Sequence, residues 1–395
     1  MLHPETIAEV AAAIRGAGAG FVVRSGGHDY EGRSSQTRGD LIDLSRLNGF
    51  AFDGDVATLG PGLTMRILNE RLARTGFTLP MATGATVGLG GYLLGGGLGL
   101  TARRHGLASD AVLGMTLVRP DGEIIEVDEA RESDLFWALR GGGNGIAGAV
   151  VAFRVRLHSI GRVALFRAAW PWERAREVLA LYAAHGPELD PDLTTALTLR
   201  ADRVIELVGV DAAPGRGTRT RLGPLGERAR VVRLSMASAQ RVAFGGLPFG
   251  GAWALATPMR RQLFRATSAF APGDLSPDAI DRIVAALEAV PPLRTRPSQV
   301  SMVRFLAGGG ALAEGPGCTF HRRARLLLQY DGYWTHPQDA APTSAWVTGL
   351  RRALAPWTEG AYAGYQDADL GPTDYYGPDV ERRASVLAKL ARNVC

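Results

Sequence analysis

The chain has 395 residues, 46% hydrophobic and 21% charged, with 51 Gly, 22 Pro and 2 Cys. That is enough length for two domains with buried cores. It excludes a disulfide-stapled mini-protein, because two cysteines cannot build such a framework, and intrinsic disorder, because apolar content is ordinary and a net charge of +5 is small for the length. Lys389 is the only lysine among 44 basic residues and no run of five like charges occurs, so the basic excess reflects genome composition rather than a nucleic-acid surface.

In chain order, apolar spacing predicts a helix over 6–15 and a short buried strand over 21–23 that ends at Arg24. Strands are predicted over 40–44 and 56–59, the second running into Gly60-Pro61-Gly62, then an amphipathic helix over 65–75. Residues 75–102 carry no charge and are long enough to cross a bilayer, but Pro80 and the repeated glycines at 84, 88, 90, 91, 95, 96, 97 and 99 leave too little apolar surface for a span. The stretch reads as a buried glycine-rich loop and helix start, and no membrane partner is expected. A strand–turn–strand is predicted over 112–127 about Pro120-Asp121-Gly122, then a short helix over 134–140 that breaks at Gly141-Gly142-Gly143, and a closing strand over 150–158. Beyond 160 glycine becomes rarer. Predicted helices (172–185, 276–290, 343–354) alternate with predicted strands (193–199, 204–210, 325–330), the pattern of an α+β domain with an antiparallel sheet, and 214–224 reads as a polar connection. The opening Met1-Leu2-His3-Pro4-Glu5-Thr6 lacks the basic head and apolar run of a signal peptide, so the default expectation is a cytoplasmic protein.

Four segments carry chemistry. In Arg24-Ser25-Gly26-Gly27-His28, two glycines after a strand let the backbone turn and present N–H groups to an anion. Arg24 is then placed to neutralise part of a diphosphate, and His28 to meet a ligand's ring. The second segment runs from Gly84 to Gly99. It is not a nicotinamide fingerprint, because Ala102 fills the place of the third glycine and no acidic residue follows about 20 positions on. Its glycines read as a backbone surface pressed against a flat cofactor, or as a packing seam. The third segment is Asp134-Leu135-Phe136-Trp137-Ala138-Leu139-Arg140-Gly141-Gly142-Gly143. The fourth is Tyr362-Ala363-Gly364-Tyr365-Gln366-Asp367, with Tyr375-Tyr376-Gly377 further on.

Together and in this order, with Arg103-Arg104-His105-Gly106-Leu107 and Phe320-His321-Arg322, these motifs make the sequence resemble the berberine-bridge-enzyme-like flavin oxidases of the vanillyl-alcohol-oxidase (PCMH-type) superfamily. The resemblance implies a two-domain α+β fold. Residues 1–160 and 356–395 would form the FAD domain, and 161–355 a substrate domain whose sheet roofs the isoalloxazine. It implies FAD-dependent oxidation of a small-molecule alcohol or amine, such as a secondary metabolite or sugar, with O2 as acceptor and no metal. His28 would bond through a ring nitrogen to the flavin 8α-methyl; a neutral imidazole is a competent nucleophile near pH 7, and the bond would raise the flavin's potential. Gly84 stands where many members carry a second, cysteinyl link, so a single bond is expected. Further FAD contacts are implied for Arg24, Ser25, Gly26, Gly27 and Asp29, for Thr86, Val87, Gly88 and Gly91, for Gly96, Gly97 and Gly99, and for Asp110, Gly148, Val150 and Tyr376.

Tyr365 falls at the family's catalytic tyrosine. With an ordinary phenol pKa near 10 it needs help to act as a base. The strand glutamate of plant members is replaced by Leu327, which leaves Gln329 and Tyr330 as pocket candidates. The family's usual residues are also replaced by Gly364, by Ile146-Ala147-Gly148 and by Asp110-Ala111, and both ends are short. These departures keep two rivals in play: a truncated or inactive flavin-binding paralogue, and a dehydrogenase with a non-O2 acceptor. The arginine-rich composition points to a GC-rich bacterium.

Overall fold

The structure, a computed structural model, describes residues 1–17, 20–35, 39–245, 263–290, 301–319 and 321–392. It divides into two units, one comprising Met1–Ile160, Gly315–Phe320 and Gly371–Cys395, the other Gly161–Glu314 and His321–Leu370.

In the first unit, helix α1 (Ile7–Ala17) buries Val10, Ala11 and Ile14, positions that share one helical face. It packs with Ile42, Leu44, Val118 and Val151. Strand β1 (Phe21–Arg24) pairs in parallel with β2 (Asp40–Asp43). There follow β3 (Phe50–Asp53), β4 (Val56–Leu59), α2 (Met65–Leu72), β5 (Phe77–Thr78), α3 (Leu89–Leu94), α4 (Ala102–His105), β6 (Val112–Val118), β7 (Ile124–Asp128), α5 (Ser133–Gly142), β8 (Ala149–Arg156) and β9 (His158–Ser159). Strands β3, β4, β8, β6 and β7 form a five-stranded antiparallel sheet in that order. Helix α2 starts where the Thr64 hydroxyl accepts from the Ile67 amide at 3.4 Å, a cap of a type worth about 1 kcal/mol. Helix α5 bends at Arg140 and Gly141. There a Cβ on Gly141 would meet Thr319 Oγ1 at 2.1 Å, so the triple glycine makes room for the segment beginning at Gly315. The uncharged stretch 75–102 becomes the short strand β5, loops, helix α3 and the first residue of α4, and no helix among the described residues is long and apolar enough to cross a membrane.

The second unit is built on a seven-stranded sheet. Its elements are β10 (Arg162–Trp170), α6 (Ala175–His185), β11 (Leu193–Arg200), β12 (Val204–Asp211), α7 (Thr218–Arg221), β13 (Arg230–Ser235), α8 (Met236–Ala243), β14 (Leu263–Ala271), α9 (Pro277–Glu288), β15 (Met302–Ala307), β16 (Leu326–Trp334) and α10 (Ala340–Ala353). The strand order is β13-β10-β12-β11-β15-β16-β14, antiparallel throughout. Alternation along each strand splits the sheet into two faces. Phe166, Leu197, Phe305, Leu328 and Tyr330 pack into one core with Leu179 of α6, Ile283 of α9 and Val347 of α10. Cross-strand register places Thr198, Arg304, Gln329 and Ser268 together on the opposite face.

The α+β class and the antiparallel second sheet agree with the sequence-based expectation. Strands β3, β5, β10, β13, β14 and β15 were not expected; β14 (LFRATSAFA) is rich in small side chains that carry little strand signal. The stretch 214–224 is not a plain connection: α7 lies within it, and Arg221 gathers Asp190 at 2.9 Å, Asp211 at 2.8 Å and Asp192 at 3.4 Å. The chain returns to the first unit at 371, not 356, with α11 (Pro372–Tyr376) and α12 (Val380–Arg392). Residues 356–370 stay with the second sheet because they are bonded to its edge. Phe270 and Glu359 exchange backbone bonds of 2.8 Å, the Tyr362 amide donates to Ser268 Oγ at 3.0 Å, and Arg265 clasps Asp367 and Asp369. Phe320 and Cys395 lie outside the described residues.

His105 at the end of α4 stacks on His158 of β9, with ring centroids 4.2 Å apart and 4° between planes. Burial first, then His158 and Arg104, push the His105 pKa down to about 3; burial, Arg104 and Arg156 also lower that of His158. The unfolded chain takes up protons near the ordinary 6.5 while the folded pair refuses them, so stability is lost as pH falls below that value. Denaturation midpoints measured from pH 8 to 4 should fall less steeply in a His105→Phe/His158→Phe double variant; parallel slopes would show that the pair is not the source.

Candidate functional site

The first constellation forms where two loops meet. A Cβ on Gly26 would lie 2.2 Å from the Gly88 nitrogen, and one on Gly88 would lie 2.3 Å from the Gly26 nitrogen. Both positions therefore need glycine, so that backbone can touch backbone. Ser25 locks the junction by donating to the Pro61 carbonyl at 2.6 Å and accepting from the Gly90 amide at 3.3 Å. Gly27 follows with φ +71°, a turn other residues rarely make, and delivers His28 to the surface. There His28 Nε2 lies 2.8 Å from Thr86 Oγ1. The ring is exposed, yet desolvation draws its pKa below the ordinary imidazole value, leaving the neutral form near pH 7. Thr86 thus takes up Nε2 and leaves Nδ1 outside this contact. Among the described residues the amides of Gly26, Gly27 and His28 donate to no protein acceptor, an arrangement suited to an anionic group.

The structure gives several expected FAD-contact residues other work. Parallel pairing sets Arg24 opposite Asp43, whose carboxylate takes its Nε at 2.9 Å and Nη2 at 2.5 Å. Burial alone would raise the Asp43 pKa; hydrogen bonds from Ser45 and Arg24 outweigh it and hold the group below the usual carboxylate range. Asp29 accepts from the amides of Glu31 and Arg33 and shapes its own loop. Asp110 accepts from the Leu107 amide at 2.8 Å. Gly96 and Gly97 have positive φ, a Cβ on Gly99 would meet the Met81 nitrogen at 2.4 Å, and one on Gly148 would meet the Val118 carbonyl at 2.6 Å. These four serve packing. Val150 is buried in β8, and Tyr376 is buried under the Arg383 guanidinium, 4.2 Å from its ring centre. Gly91 differs: it is exposed, with open space where a Cβ would point. At Gly84 a Cβ would come within 2.8 Å of Val87 Cγ2. Cys318 is buried, its thiol pushed up to about 12 chiefly by burial, so no thiolate nucleophile forms there. An exposed neutral imidazole, unpartnered amides and an open glycine backbone fit a flavin and its phosphates.

The second constellation lies within the second unit. Tyr365 sits on the 359–370 segment, its amide bonded to the Tyr362 carbonyl at 2.9 Å and its ring edge-on to that of Tyr362 at 5.1 Å. His321 braces this segment by stacking on Phe270 and bonding Glu359. On β16 the twofold alternation corrects one expectation: Tyr330 points into the helix-packed core and is fully buried, so it is not a pocket residue. Gln329 points the other way, and with it Asp331 and Tyr333. Arg304 of β15 donates through Nη1 to Gln329 Oε1 at 3.1 Å, and Gln329 Nε2 donates to Asp331 Oδ1 at 3.0 Å. Asp331 is wholly buried, and its Oδ2 has no hydrogen-bond partner. Burial lifts the Asp331 pKa to about 6 against the lowering effects of Arg304 and Gln329. Burial pushes Tyr365 up to about 12; Arg304 lowers it and Asp331 raises it, and the Asp331 charge also raises Tyr333.

Asp331 and Arg304 belong to this constellation but were not expected from the sequence. The predicted strand stops at 330, one residue short of the aspartate; carrying the Leu327, Gln329 alternation one step further reaches it. Arg304 gave no signal, since β15 was not expected.

The family model described as FAD binding domain matches residues 1–128. The chain is 30% identical to the uncharacterized FAD-linked oxidoreductase YgaK of Bacillus subtilis, over 92% of this chain and 81% of that protein. It is 36% identical to the reticuline oxidase of Eschscholzia californica over 46% of this chain and 35% of that one. The solved structure of a chitooligosaccharide oxidase superposes with a TM-score of 0.86 at 23% identity, covering 99% of this chain and 89% of the other. Joined to the loop geometry around His28, these likenesses show that the chain belongs to the berberine-bridge-enzyme-like FAD-linked oxidoreductases of the PCMH-type superfamily.

Proposed function

We propose that the chain oxidises a hydroxyl group of a small uncharged molecule, with FAD held by one covalent bond from His28, and with Tyr365 and Asp331 managing the proton. The observation that carries this reading is the buried Asp331 carboxylate, whose Oδ2 has no donor, close enough to Tyr365 for its charge to perturb the phenol. A buried acceptor without a donor is costly and is sustained here by the Arg304–Gln329 chain on its other oxygen. Tyr365 is protonated at neutral pH, so it cannot take a proton unless it gives one up. As the substrate hydroxyl proton moves to the Tyr365 oxygen, the phenol's own proton moves to Asp331. The chemistry that FAD would supply here, when bound, is acceptance of a hydride from the carbinol carbon. The fixed charges of the cluster, one guanidinium and one carboxylate, cancel, which favours a neutral alcohol over an ammonium substrate. The reticuline oxidases among the relatives support O2 as the acceptor.

Three measurements test the proposal. After acid precipitation the wild-type pellet should stay yellow and the His28→Ala pellet should not; colour retained in the variant would overturn the single link. Tyr365→Phe should slow anaerobic flavin reduction by about 10²–10⁴-fold, and a rate equal to wild type would remove it as the base. Because Asp331 must be ionised, flavin reduction should be fastest above pH 6 and fall as pH drops through about 6; Asp331→Asn should be slow throughout and lack that acid limb.

A further inference from the structure

The hydrogen bonds around Gln329 have a direction. A guanidinium can only donate and an ionised carboxylate can only accept, so an amide between Arg304 and Asp331 is held with its oxygen towards the cation and its nitrogen towards the anion, at 3.1 and 3.0 Å. This occupies Asp331 Oδ1 and leaves Oδ2, buried and without a donor, as the oxygen available to an incoming proton. Cross-strand register fixes the geometry: Arg304 lies opposite Gln329 on one side and Thr198 on the other. The neighbouring charges are committed elsewhere, Glu206 to Arg167 and Asp367 and Asp369 to Arg265. Arg304 of β15, Asp331 and Tyr333 of β16, and Tyr362 of its own segment all bear on Tyr365.

We infer that Arg304 is a positioning residue for the oxidation. Acting through Gln329, it fixes the Asp331 carboxylate with Oδ1 occupied and Oδ2 left to accept a proton. The same cation favours the ionised form of that carboxylate. This rests on the Tyr365–Asp331 reading above but makes a claim of its own, because a tyrosine and aspartate could exchange a proton without it. It also explains why Gln329, which cannot itself move a proton, stands between two charged groups on that face of the sheet.

The test follows the carboxyl stretching band of Asp331 in pH-difference infrared spectra of the flavin-loaded protein, assigned by its loss in Asp331→Asn. In wild type the band should titrate near pH 6. Arg304→Gln should raise the midpoint by about one pH unit or more, and Arg304→Lys, which keeps the charge, should bring it back. Gln329→Leu should also raise it, and serves as the test should Arg304→Gln not fold. A midpoint unmoved in Arg304→Gln, or in Gln329→Leu where that variant is the one that folds, would overturn the inference. These outcomes are separate from the fate of the base: full activity in Tyr365→Phe would overturn the proposed proton route while leaving the infrared result to decide the role of Arg304.

Discussion

The loop that carries His28 depends on one contact in which no side chain takes part. Gly26 and Gly88 bring two backbones within a distance that a single methyl group would forbid. Everything around His28 follows from it. The Ser25 hydroxyl reaches Pro61 and Gly90, Gly27 turns the chain, and His28 arrives beside Thr86 with one ring nitrogen held and the other outside that contact. Desolvation then keeps the imidazole neutral, the state in which it can attack an electrophile. Position and protonation state thus have a common origin in close packing.

The second unit uses a different constraint, the alternation of a strand. On β16 successive residues are sent to opposite fates: Leu328 and Tyr330 into a helix-packed core, Gln329 and Asp331 to a polar face. A carboxylate as buried as Asp331 would ordinarily be protonated or paired. Here its partner is reached through an amide, so the charge is balanced while one oxygen stays without a donor. A direct Arg304–Asp331 ion pair would have satisfied the carboxylate more fully and left it less able to accept a proton.

Arginine shows how the same residue type serves both ends. Arg24, adjacent to the flavin loop in sequence, is consumed by Asp43 in a strand-to-strand pair, and Arg221 holds three aspartates around α7. Arg304 bonds to a neutral amide and acts on its carboxylate at one remove. Sequence proximity to a motif therefore gave no sign of the Arg24–Asp43 pair, and nothing near Arg304 in the chain marks it out. The difference lies in which strands pair, and pairing is a long-range fact.

The sequence by itself determined the class of the protein, because that information is local: a strand ending in Ser-Gly-Gly-His, a glycine block with no room for charge, a triple glycine after a short helix, and a late tyrosine pair, each legible from residue type and spacing. Only the tertiary structure decided which glycines touch backbone and which face open space, where the chain leaves the second sheet, and that Asp331 and Arg304 complete the neighbourhood of Tyr365. Those facts depend on cross-strand register among β11, β14, β15 and β16, and on an edge strand of small residues binding a segment nearly a hundred residues away. Register is set by the summed packing of two sheet faces, a quantity that no window of neighbouring residues contains.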